Sequence, residues 1–178
     1  MFVLELVIFI SCGAEVEGLR DVAARVLRAL ENAFLNGLKI SVVIRNWDYR
    51  DESPEVVKTG EFSARSLRMV DSSNAVIGIL GPSVPPVTAL EILRAIERFA
   101  TGDADNVWLF VDASTLGPVH ARYLGKIKRK TGMEVVYQKF MGDSDFQEKL
   151  FVALIPYVVR KTILERQNSP TLAPGGAA

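Results

Sequence analysis

Apolar residues along this chain keep two rhythms, short unbroken runs and longer stretches at helical spacing, and the two take turns from end to end. Phe2 to Ile10 is rich in Val, Ile, Leu and Phe, the composition of a strand covered on both faces. After Ser11-Cys12-Gly13-Ala14, apolar residues recur at Val16, Leu19, Val22, Ala23, Val26, Leu27, Leu30 and Phe34. That spacing is one face of a helix, which Gly37 ends. Lys39 to Arg45 predicts a second strand, and Asn46 to Pro54 a polar loop. Phe62 to Val70 fits a helix, and Asn74 to Leu80 a third strand closed by Gly81-Pro82-Ser83. Pro85-Pro86 then hold the chain extended before a helix from about Val87 to Ala100. Asn106 to Asp112 predicts strand four, Pro118 to Lys130 a basic helix, and Met133 to Tyr137 strand five. Ser144-x-x-Gln147 reads as a capping box that opens a long last helix.

Strands alternating with helices form right-handed βαβ units. The expected fold is therefore α/β, a three-layer, five-stranded parallel sheet of flavodoxin type in the order 2-1-3-4-5. Residues 1–166 are expected to form one domain, and 167–178, rich in Pro, Gly and Ala, a disordered tail. The last helix is apolar nearly all round from Leu150 to Val159 and contains Pro156. Two readings follow: a homo-oligomer contact through that helix, or deep packing on its own sheet with a kink at the proline.

Composition narrows the partners. Lys plus Arg and Asp plus Glu both number 21, and no basic block interrupts the chain, which argues against nucleic acid as the main partner. One cysteine, Cys12, allows no intrachain disulfide, and with one histidine, His120, it builds none of the common zinc sites, so no metal is expected. Phe2 to Ile10 is short, contains Glu5, and lacks a basic leader and a small-residue cleavage site. It reads as neither signal peptide nor membrane span, and the expected location is cytoplasmic.

In a 2-1-3-4-5 sheet the switch point lies between strands one and three, where ligands collect at the carboxyl ends. The loops at Ser11, Cys12 and Gly13 and at Gly81 and Ser83 would flank that crevice, the first feeding a helix N-terminus suited to phosphate. Trp47 and Asp48 follow strand two and could hold a base and a ribose hydroxyl, or fold back on the core. Asp112 ends strand four and could bind ligand or cap the following turn through Ser114 or Thr115. Cys12 reads as a buried inert thiol rather than a nucleophile paired with His120. Glu91, near the start of the helix after strand three, is the catalytic candidate, a carboxylate able to meet positive charge developing on a sugar ring. The competing reading is a surface glutamate paired with Arg94 three residues on.

Val7-Ile8-Phe9-Ile10-Ser11 resembles the opening of Toll/interleukin-1 receptor (TIR) domains and their prokaryotic TIR-like relatives. Val70-Asp71-Ser72-Ser73-Asn74-Ala75-Val76-Ile77-Gly78-Ile79-Leu80, followed by a Ser-containing loop and Glu91, resembles the segment leading to that family's catalytic glutamate. The resemblance implies hydrolysis of NAD at the nicotinamide-ribose bond, with NAD as substrate and no cofactor required. Thr88-Ala89-Leu90-Glu91-Ile92-Leu93-Arg94-Ala95 is also similar to a stretch of nucleoside deoxyribosyltransferases, where the glutamate is a nucleophile. The expectation is a TIR-like protein that binds NAD or a related nucleotide or nucleoside and cleaves its N-glycosidic bond with Glu91. The alternatives are a non-catalytic interaction module and a deoxyribosyltransferase-like enzyme.

Overall fold

Strand β1 (Leu4–Cys12) sorts its side chains between two layers, and that alternation organises the molecule. Leu6, Ile8, Ile10 and Cys12 enter the larger core, whereas Phe9 and Ser11 face the opposite side. The structure, a computed structural model, describes residues 4–35, 40–46 and 61–168. A 3-10 turn (Ala14–Val16) leads into helix α1 (Glu17–Leu30). Then follow β2 (Ile40–Asn46), α2 (Glu61–Asp71), β3 (Ala75–Leu80), α3 (Pro86–Thr101), β4 (Asn106–Asp112), α4 (Pro118–Thr131), β5 (Gln138–Phe140) and α5 (Gly142–Asn168). Every strand pairing is parallel, and the order is β2-β1-β3-β4-β5. The larger core joins one sheet face to α1 and α5; α2, α3 and α4 cover the other. Among the described residues no helix is long and apolar enough to cross a membrane.

Four local departures from the expected elements have identifiable causes. First, β1 runs to Cys12, so Ser11 and Cys12 belong to the ladder, opposite Gly78 and Ile79 of β3, and not to a loop. Second, α1 passes into a wide π turn (Glu31–Leu35). The added residue per turn rotates the face, leaving Phe34 50% exposed and seating Leu35 in the core at 0%. Gly37, the expected stop, lies outside the described residues. Third, Met133, Val135 and Tyr137 do alternate inward against α3 and α4, but β4 pairs with β5 only through Phe110 to Asp112, so the ladder forms at Gln138–Phe140. Fourth, α5 opens at Gly142, in the left-handed region at φ 76°, and Asp145 accepts the Met141 N–H at 2.7 Å. Ser144 therefore sits inside the first turn, and Asp145 reaches back to the N–H that precedes the helix. At its far end the same helix reaches Asn168.

The π turn also buries Glu31. Its carboxylate accepts the Val42 N–H at 2.7 Å, the Ser41 hydroxyl at 3.1 Å and the Arg28 guanidinium at 2.6 Å. Arg28 donates in addition to the Val42 carbonyl at 2.7 Å, so one ion pair closes the junction between α1 and β2. Burial pushes this carboxyl's pKa up, but the Val42, Arg28 and Ser41 hydrogen bonds together hold it below its ordinary 4.5.

Candidate functional site around Glu91

Ser11 lies one step from the carboxyl end of β1, on the face turned toward α2 and α3. Its ladder partner, Gly78, has no side chain, and a Cβ there would stand 2.9 Å from Ile92 of α3. The helix consequently sits close over the sheet, and Glu91, next to Ile92, reaches the end of β1. The Ser11 hydroxyl donates to Glu91 Oε2 at 2.5 Å. Glu91 is only 4% exposed, and Ser66 of α2, fully buried, closes on it from the other helix.

Burial raises the Glu91 pKa above its ordinary 4.5, and the Ser11 and Ser66 hydroxyls lower it in part. No lysine or arginine among the described residues offsets the burial. The surface pairing with Arg94 is absent, because Arg94 Nε donates to Asp71 at 2.7 Å. One turn before Glu91 on the same helix, Thr88 is fully buried, and its hydroxyl has no hydrogen-bond partner among the described residues. Ser66 and Thr88 were not singled out from the sequence. The available signal was a hydroxyl in an otherwise apolar row, such as Ser66 four residues before the buried Val70.

The loops after β1 and β3 do converge, and they fill the space between them. A Cβ on Gly13 would stand 2.8 Å from Pro85, and one on Gly81 would overlap Val16, so both positions require glycine for close approach. Glu15 Oε1 accepts the Ser83 N–H at 2.9 Å and its hydroxyl at 2.6 Å, latching one loop to the other. Of the expected phosphate loop, Gly13 alone lies beyond the strand. Cys12 faces the α1 and α5 layer; burial, against the pull of Arg20, pushes its thiol up to about 11, so it stays protonated near neutral pH.

His120 is fully buried on α4 and occupied at both nitrogens. Nδ1 accepts the Gly117 N–H at 3.2 Å, leaving Nε2 to donate to the Gly81 carbonyl at 2.8 Å. It ties the α4 entry to the loop after β3. Asp112 Oδ1 accepts the Ser114 N–H at 2.9 Å and its hydroxyl at 2.7 Å, the turn-capping role. Trp47 and Asp48 lie outside the described residues. Among those described, no group of His, Cys, Asp and Glu could hold a metal ion.

No protein-family profile and no curated protein matches this sequence. Among solved structures, S. aureus homoserine dehydrogenase is similar at 16% identity with a TM-score of 0.38 over 78% of this chain. The match spans 33% of that protein, and a likeness this weak bears on neither fold nor function.

Proposed function

We propose that this protein is a TIR-like enzyme that binds NAD or a related nucleotide and cleaves its N-glycosidic bond with Glu91. The observation that carries the reading is a buried carboxylate supported by hydroxyls alone. Stability gains little from such a group, since burial penalises its charge and no cation among the described residues compensates. In the reaction the ionised Glu91 would face the positive charge that develops at the anomeric carbon, with the Ser11 hydroxyl fixing the orientation of its carboxylate. At 4% exposure Glu91 is covered by its neighbours, so substrate entry on this reading requires the elements around it to separate.

The test is turnover of NAD, and separately of deoxynucleosides, followed by chromatography. Glu91→Gln should slow the reaction by about 10²- to 10⁴-fold while leaving the circular dichroism spectrum unchanged. NAD and deoxynucleosides left intact over hours, or full activity in the variant, would end the proposal.

A second reading is favoured by the closed crevice and by α5. Val152, Val159 and Ile163 are 59%, 47% and 50% exposed, at a spacing that aligns them along one stripe of that helix. This reading is a non-catalytic module that assembles through its last helix. It expects a dimer in light scattering and no thermal shift with NAD or ADP-ribose, whereas the enzyme reading expects a raised midpoint with one of them.

A further inference from the structure

Helices α1 and α5 share the larger core on the sheet face opposite Glu91, and an open cavity of about 480 Å³ lies between them. Val26 and Ala29 of α1 and Phe151 of α5 supply its apolar lining. The polar lining is Arg25 from α1 and Ser144, Gln147 and Glu148 from α5, all exposed. One cation and one anion thus face a shared space from two helices, yet they form no ion pair with each other. Neither side chain pairs or hydrogen-bonds with a third group among the described residues, and the same holds for the Ser144 hydroxyl and the Gln147 amide. Their neighbours on the same helices are engaged: Arg28 pairs with Glu31 at 2.6 Å, and Lys149 with Asp145 at 2.9 Å. The charges left over are the two that line the cavity.

A singly charged ligand would satisfy one of these groups and leave the other, and a polyanion would be opposed by Glu148. A small zwitterion answers both. Its carboxylate fits the planar fork of an arginine, and its ammonium donates to a glutamate, each a charge-assisted hydrogen bond. Ser144 and Gln147 add a hydroxyl and an amide for the remaining donors and acceptors. The apolar lining calls for an apolar arm on the same molecule, whose burial adds to affinity. The volume falls within the range of ligand cavities, roughly 300 to 1,000 Å³. We propose that the cavity between α1 and α5 binds a free α-amino acid with an apolar side chain, its carboxylate on Arg25 and its ammonium on Glu148. The site is separate from the exposed stripe of α5, since Phe151 and Val152 point about 100° apart around that helix.

The test is calorimetric titration of the whole protein with L-phenylalanine and L-leucine, each set beside the amine and the carboxylic acid that keep its side chain and lose one of its charges. Phosphatidylcholine vesicles serve as a zwitterionic surface for comparison. At least one amino acid should bind roughly tenfold more tightly than its amine or its acid, because each of those forfeits a hydrogen bond between charged groups. Arg25→Gln should weaken the amino acid by roughly tenfold without weakening the amine, and Glu148→Gln should weaken it without weakening the acid. Both side chains are exposed and unpaired, so neither change threatens the fold. Arg129→Gln, on the exposed side of α4, removes a charge elsewhere and should leave binding unchanged. No binding of either amino acid at millimolar concentration overturns the proposal. So does an amine or acid that binds as tightly as its amino acid, an equal loss in Arg129→Gln, or binding confined to the vesicles.

Discussion

Glu31 and Glu91 are both buried glutamates, at 8% and 4% exposure, yet the molecule treats them in opposite ways. Glu31 receives a backbone N–H, a hydroxyl and an arginine, and its pKa is held down. Glu91 receives hydroxyls only, and its pKa is pushed up. A buried charge that is paired and hydrogen-bonded joins elements together, as Glu31 joins the end of α1 to β2. A buried charge with little compensation opposes folding. This difference, more than position in the sheet, marks Glu91 as the residue whose presence stability does not explain.

The contrast can be broken by experiment, and the largest effect belongs to Glu31. Glu31→Ala should lower the unfolding free energy by about 2–3 kcal/mol in urea denaturation, because it leaves the buried Val42 N–H without its acceptor. Ser11→Ala should cost about 1–2 kcal/mol by the same measurement and should move the Glu91 pKa further up, read by NMR titration of its carboxyl carbon. Glu91→Gln removes a poorly compensated charge and keeps an oxygen for Ser11. At neutral pH its stability should stay within about 1 kcal/mol of the natural protein. A loss as large as that of Glu31→Ala would erase the distinction.

The smallest expected effect is on pH dependence, where the two residues carry opposite signs. The Glu31 pKa is lowered on folding, so its contribution is present above the ordinary 4.5 and is lost as pH falls through its depressed value. The Glu91 pKa is raised, so its contribution is complete below 4.5 and is lost as pH rises through its elevated value. Stability of Glu91→Gln relative to the natural protein should therefore climb as pH rises from about 4.5. A flat difference would show that Glu91 does not titrate differently in the folded chain.

Much of the architecture could be read ahead of the structure because burial imposes a period. The runs at Ala75–Leu80 and Asn106–Asp112 are strands where expected, and the 2-1-3-4-5 order follows from the alternation of strands with helices. The fifth strand shows where that logic stops. Side-chain alternation at Met133, Val135 and Tyr137 reports which side faces the core, while a ladder needs a partner backbone in register, and β4 offers one only to Gln138–Phe140. Ser11 was legible as a neighbour of Glu91, whereas its place in the ladder and its hydrogen bond to Glu91 were not, since neither leaves a mark in the local pattern.

The sequence by itself determined the order of elements, the parallel sheet and the placing of Glu91 in the N-terminal half of α3, because run length and period must match the layers that cover them. Tertiary structure alone decided which groups meet. It brought Ser11 to Glu91 across 80 residues, closed the loops after β1 and β3 on each other, and set Arg25 and Glu148 around one cavity from two helices. Hydrogen bonds and charges act over a few ångströms of space, and distance along the chain carries no record of them.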